Sequence, residues 1–195
     1  MGPASGRRAT YDDLLAVPDT KIAEIIDGEL VVSPRPAVPH ARVASVLSQD
    51  LAPFDRPAAT RGEPGGWWIL FEPELHFDDD VLVPDLAGWT RARLAALADV
   101  AFFTLAPDWV CEVVSPTTAR HDRVHKMAIY ARAGVAHVWL VDPRARTIEV
   151  YAREASSWVV AGAFDGTAPV RAMPFDALAL DPTRWWVETG PRPEG

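Results

Sequence analysis

Apolar and polar positions divide the chain into short alternating runs and two stretches with helical spacing. From Ala23 to Val32, β-rich residues flank Asp27-Gly28, a pair suited to a type I′ turn, so this segment predicts a β-hairpin. The prolines of Ser33-Pro-Arg-Pro-Ala-Val-Pro39 then interrupt regular structure. Between His40 and Leu51, Val43, Val46, Leu47 and Leu51 recur at spacings of three and four and predict an amphipathic helix. Pro53 to Gly66, rich in Pro, Gly and Ala, reads as a loop. Trp67–Phe77 and Val81–Trp89 read as strands joined at Asp78-Asp79-Asp80, and Thr90 reads as the cap of a short helix running to about Ala98.

The second half has the pattern of a β-α-β unit. Trp109–Ser115 is apolar on both faces, with Trp109, Cys111 and Val113 on one and Val110 and Val114 on the other, as in a central strand covered on both sides. Pro116 stops it, a helix is predicted from about Thr118 to Ala133, and Gly134 stands just past the last turn. His137–Val141 follows as a strand, and the short connections imply a parallel pair with a right-handed crossover. Asp142-Pro143 turns the chain into an antiparallel strand over Thr147–Tyr151, and Trp158–Ala163 and Ala179–Val187 offer further strands. Near the start, Thr10 with Asp12 and Asp13 predicts a first helical turn. The expected organisation is a disordered leader over residues 1–10, then a single α/β domain over residues 11–190 with a mixed sheet flanked by helices.

Charge changes this picture only locally. The net charge of −8 argues against a dedicated nucleic-acid binder with a basic stripe. It does not exclude a nuclease, because a carboxylate cluster that holds cations is itself acidic. Arg120, His121, Arg123, His125, Lys126 and Arg132 concentrate basic groups in one segment. The chain has only two lysines, Lys21 and Lys126, so a lysine that survives this arginine bias draws notice; chance survival is the simpler explanation. The one cysteine, Cys111, cannot form an internal disulfide and fits a reducing cytoplasm, as a packed core thiol. No apolar run reaches the roughly 18 residues of a membrane span, so no membrane partner is expected. Phosphate-cradling glycine loops, paired Cys-x-x-Cys and His-Glu-x-x-His are absent from the sequence.

Three charges stand in apolar surroundings. Asp85 lies within the run Val81–Trp89, where a partner arginine or a surface strand end would be the bland explanation. Glu112 lies in the central strand and needs a counter-charge or a metal, a structural ion pair being the equal alternative. Lys126 shares a helix face with Asp122, in the acid-first order that also suits a solvated pair; Val124, Met127, Ala128 and Ala131 are expected on the packed side. Together they suggest more. Carboxylates on neighbouring strands, about 4.8 Å apart, can share one cation such as Mg²⁺ or Mn²⁺. A lysine from the next helix could orient or deprotonate an attacking water or stabilise developing charge.

Four strings resemble the Uma-two family, bacterial proteins classed as restriction endonucleases of the PD-(D/E)XK superfamily. They are Ala23-Glu-Ile-Ile-Asp-Gly-Glu-Leu-Val, Val83-Pro-Asp-Leu, Pro107-Asp-Trp-Val-Cys-Glu-Val-Val-Ser-Pro, and the run from Asp122-Arg-Val-His-Lys-Met to Val-Trp-Leu-Val-Asp-Pro143. The resemblance runs from about Tyr11 to Tyr151. It implies a restriction-endonuclease-like fold, with Asp85 and Glu112 as the motif acids. Lys126 would replace the usual strand lysine, since Val114 stands two residues after Glu112. It further implies metal binding by Asp85, Glu112 and the Val113 carbonyl, with His40, Glu24, Glu29 and Asp122 in support. A cap or surface role is the ordinary alternative for His40, and a solvated one for Glu24 and Glu29. One departure is Val138, where the family pattern leads us to expect an aromatic.

Two functions follow as expectations. The first is a metal-dependent endonuclease acting on DNA, as a two-fold dimer if it cuts both strands. The second is a non-catalytic dimerising or partner-binding module that keeps the nuclease fold, motivated by the acidic charge and by a C-terminal run after Tyr151 that carries no readable motif.

Overall fold

The computed structural model describes residues 7–58, 63–116 and 118–188. The leader expected over residues 1–10 lies outside the described residues for its first six positions. Within the rest, the Ala9 N–H donates to the Gly28 carbonyl at 2.8 Å. Thr10 and Asp13 form a reciprocal capping box on helix α1 (Tyr11–Leu15), in keeping with the first turn expected there.

Strands β1 (Lys21–Ile26) and β2 (Glu29–Pro34) form the predicted hairpin, with Ile26 opposite Glu29. Asp27 and Gly28 both take positive φ, 54° and 85°, as a type I′ turn requires. Helix α2 spans Val38–Leu51 and so begins two residues before His40, because proline fits the first helical turn.

The two long strands expected next are each broken in the middle. Trp67–Phe77 divides into β3 (Trp67–Phe71) and β4 (Leu75–Phe77), and Val81–Trp89 into β5 (Asp80–Leu82) and β6 (Leu86–Thr90). The breaks fall opposite each other, at Glu72-Pro73-Glu74 and Val83-Pro84-Asp85, and the Glu72 N–H donates to the Asp85 carbonyl at 3.1 Å between them. Each break contains a proline, which has no N–H for a ladder. The hairpin therefore changes sheets in mid-course. Its tip joins a four-stranded antiparallel sheet in the order β2-β1-β5-β4, and its base joins a six-stranded one. The single mixed sheet of the sequence reading is thus two sheets, and Asp85 lies at their seam instead of inside a strand.

The six-stranded sheet completes itself with β7 (Trp109–Val113), β8 (His137–Asp142), β9 (Thr147–Glu154) and β10 (Ser157–Phe164), in the order β10-β9-β8-β7-β6-β3. β7 is internal and parallel to β8, and its other neighbour, β6, is antiparallel, so this sheet is mixed. The short helix expected from Thr90 to Ala98 is only a turn. Thr90 closes β6, its N–H and Oγ both bond Asp108, and its side chain is no longer available as a cap. A strand over Ala179–Val187 does not form either. Leu180 makes one bridge to Val170, and Asp181 then caps a 3₁₀ turn at Pro182–Arg184.

The chain between β7 and β8 is helical but not uniformly so. His121–Lys126 winds as a π-helix, with the Met127 N–H reaching back five residues to the Asp122 carbonyl, and α3 continues over Met127–Ala133. β7 separates two cores. Trp109, Cys111 and Val113 pack with Val43 and Leu47 of α2 and with Phe175 and Trp185 of the C-terminal segment. Val110 and Val114 pack with Ile129 and Tyr130 of α3 and with Leu75 and Leu82 of the smaller sheet. Among the described residues, no helix is long and apolar enough to cross a membrane.

Gly134 ends α3 at φ 92°, and a Cβ there would meet nothing within 4 Å. Gly134→Ala therefore isolates the cost of a left-handed backbone. It should lower stability by about 1 kcal/mol, read as a shifted urea midpoint at unchanged slope.

Candidate active site

The seam between the two sheets opens into a pocket of about 230 Å³. Glu24 of β1, Asp85, Glu112 of β7, and Asp122 and Lys126 of the π-helical turn line it, together with His40 of α2. Each is delivered by a different constraint. Glu112 projects from the side of β7 that carries Val110 and Val114, facing α3. The Pro84 break turns Asp85 onto the end of β7, where its Oδ2 accepts the Val113 N–H at 2.7 Å. The π-helical turn puts both Asp122 and Lys126 inside.

That last placement corrects the expected helix face. Met127 and Ala131 are buried as expected, but Val124 and Ala128 are exposed, whereas Asp122 and Lys126 are buried. Asp122 and Lys126 continue the buried face of Ile129 and Tyr130, so they are not the solvated pair that an isolated helix would suggest.

Lys126 Nζ is 2.8 Å from Glu112 Oε1 and 2.9 Å from Glu24 Oε1. Asp122 Oδ1 stands at 3.7 Å, beyond hydrogen-bond reach. Glu24 Oε1 also accepts the Val83 N–H at 2.8 Å, which pins the smaller sheet to the break beside Asp85. Tyr130, one α-helical turn after Lys126, donates its hydroxyl to Glu112 Oε1 at 2.5 Å. His40 Nε2 faces Asp85 Oδ1 at 3.3 Å, and its buried Nδ1 has no hydrogen-bond partner among the described residues.

Three carboxylates, Glu112, Glu24 and Asp122, therefore lie within 4 Å of one ammonium, and a fourth, Asp85, lines the same pocket beside His40. Desolvation pushes the Glu112 carboxyl well above its ordinary range against the pull of Lys126, and the charges of Asp122, Asp85 and Glu24 add to the effect. Burial raises Asp122 too, against the opposing pull of Lys126 and a hydrogen bond from Thr118. For Lys126, burial works against the charge, but Glu112, Glu24, Tyr130 and Asp122 together outweigh it and hold the pKa well above the usual lysine value. Burial likewise opposes a charged His40; the hydrogen bond and charge of Asp85, with Asp122 and Glu72, overcome it and lift the pKa above the ordinary value. These shifts share one cause, more negative than positive charge in a pocket largely closed to water.

The pocket brings together Asp85, Glu112, Lys126, Asp122, Glu24, His40 and Val113. Glu29 is not among its lining residues; it is exposed at the start of β2. Tyr130 was not singled out from the sequence. Its spacing of four from Lys126 and eight from Asp122 was the available signal, but an aromatic on a packed helix reads as core. Among the described residues, no group of three His, Cys, Asp or Glu side chains is arranged to hold a metal ion. A cation here would rest on the carboxylate pair Asp85 and Glu112, and the surplus of carboxylates over ammonium is what such a charge would balance.

A crystal structure of a "putative nuclease belonging to DUF820" from Anabaena variabilis ATCC 29413 matches the fold with a TM-score of 0.72. It is 24% identical in sequence, and the match covers 91% of this chain and 97% of that one. The likeness defines the class: a nuclease-like α+β fold with two sheets flanked by few helices. A family model described as "Uma2: Putative restriction endonuclease" matches residues 8–182, and the chain belongs to that family. No curated protein matches the chain.

Removing the ammonium should expose the charge imbalance. Lys126→Met should destabilise the protein by roughly 3–5 kcal/mol, as expected for one half of a buried pair. Adding Glu112→Gln should recover a substantial part of that loss. A double-mutant cycle by urea denaturation measures the coupling, and additive losses would contradict the direct pairing.

Proposed function

We propose that the protein is a metal-dependent endonuclease that hydrolyses phosphodiester bonds of DNA. The observation that carries this reading is the convergence of Asp85, Glu112 and Lys126 on one pocket with a surplus of negative charge. Membership of a family described as restriction endonucleases supports it.

Asp85, Glu112 and the Val113 carbonyl would hold Mg²⁺ or Mn²⁺, ions that take oxygen ligands and retain water. When bound, the ion supplies Lewis acidity and a more acidic water. The chain's own groups do the rest. The Val113 N–H fixes one oxygen of Asp85, which leaves the other turned toward His40. Tyr130 and Lys126 fix Glu112 Oε1. Lys126 has three N–H donors, two of them engaged at short range by Glu24 and Glu112. The third suits the attacking water or a non-bridging phosphate oxygen, where a cation offsets charge as the phosphorus–oxygen bond to the leaving strand breaks. His40, beside Asp85, is placed to give a proton to the departing oxygen.

A second reading has its own support. Glu112 and Lys126 are each about 3% exposed and bonded to each other, as in a purely structural ion pair, so the protein could be a binding module on a nuclease frame.

Nicking of supercoiled plasmid with Mg²⁺ or Mn²⁺ separates the two. Glu112→Gln and Asp85→Asn, which keep side-chain shape, should each reduce nicking by about 100-fold or more in protein that circular dichroism shows to be folded at the assay temperature. Calorimetry should show Mn²⁺ binding to the parent chain and its loss in Asp85→Asn. A folded Glu112→Gln protein that still cuts would end the catalytic assignment.

A further inference from the structure

A second and larger cavity, about 850 Å³, adjoins the carboxylate pocket and shares Ala37, His40, Ser115 and Pro116 with it. Its far wall carries Arg144 and Arg146, from the four-residue turn between β8 and β9. Among the other described arginines several pair with carboxylates, as Arg35 with Glu72, Arg93 with Asp108, Arg123 with Glu149 and Arg184 with Asp50, and those that do not, Arg42, Arg56, Arg120, Arg153 and Arg171, line neither cavity. Among the described residues, neither Arg144 nor Arg146 has an ion-pair partner, and both are exposed. Their turn is well fixed. Asp142 Oδ1 accepts the N–H groups of Arg144 and Ala145 at 2.8 and 2.9 Å, and Arg146 is held at φ 57°.

We infer that Arg144 and Arg146 form a phosphate clamp that seats the DNA backbone next to the scissile phosphate. This rests on the nuclease reading above. A protein of net charge −8 with a carboxylate-lined site repels a polyanion unless some part of the approach is positive. Two unpaired guanidiniums on a rigid turn, across a groove from His40, supply that charge at the edge of the site and leave the metal-binding carboxylates undisturbed. Guanidinium forks match phosphate oxygens in shape as well as charge. Arg144 and Arg146 are positioning residues: they touch the flanking backbone and leave the reacting atoms to the neighbouring pocket.

The test is a salt titration of duplex DNA binding by fluorescence anisotropy, with Ca²⁺ in place of Mg²⁺, for the full chain and for R144A/R146A. Each phosphate contact contributes about 0.9 to the slope of log K against log salt, so the double variant should lose about 1.8 of slope and roughly tenfold in affinity. R144K/R146K should retain most of the slope. Hydrolysis of bis(p-nitrophenyl) phosphate with Mn²⁺, a diester with no flanking backbone, should be unchanged, as should the melting temperature. An R144A/R146A protein with unaltered slope, in a chain that binds and cuts DNA, overturns the clamp alone. Loss of the small-diester activity in that variant also overturns it, by showing damage to the pocket. A parent chain that neither binds nor cuts DNA removes the nuclease reading and the clamp with it.

Discussion

The architecture of the site depends on one buried ammonium. Lys126 reaches Glu112 on the larger sheet and Glu24 on the smaller, so it is at once the positive charge of the pocket and a tie between two sheets. An isolated buried charge costs several kcal/mol, and the cost is met only when partners are close and hydrogen-bonded. Here they are, but in surplus: three acids face Lys126 and a fourth, Asp85, faces His40, while Tyr130 and the Val113 and Val83 amides take up part of the remaining demand. The arrangement is stable enough to fold and yet electrostatically unbalanced.

The backbone explains how so many charges came to one place. A single hairpin has its base in one sheet and its tip in the other, and both of its strands are interrupted at a proline at the same level. Backbone released from the ladders at that seam binds side chains instead: Val83 N–H holds Glu24, and Asp85 accepts from Val113 at the end of β7. The interruption thus removes regular pairing where the charged pocket lies, while the cores on both sides of β7 remain continuous.

Much of this was legible in the sequence because it follows local rules. The Asp27-Gly28 turn, the doubly apolar β7, the helix ended by Gly134 and the parallel return through β8 each have a period or a punctuating residue. Asp85, Glu112 and Lys126 stood out as charges in apolar company. What was not legible depended on tertiary contacts. Pro73 and Pro84 were visible, but their effect depends on two sheets meeting there. Thr90 looked like a helix cap until Asp108, distant in sequence, claimed its donors. Val124 and Ala128 were expected inward with Met127 and Ala131, but the pocket takes the neighbouring face, where Asp122 and Lys126 follow the line of Tyr130. Glu29 shared a hairpin with Glu24 but not its strand, and only β1 abuts β5.

The π-helical stretch carries one residue more per turn than the α-helix that follows it. A chain with one residue deleted between Thr118 and Lys126 could wind the same span in the ordinary form, at little cost to the fold. Restoring the ordinary winding would keep the acid and the base on one face but would turn Asp122 to a different bearing on α3, away from its place among Glu24, Glu112 and Asp85. The winding of one short turn, and not the identity of any side chain, therefore decides whether the fourth acid joins the other three.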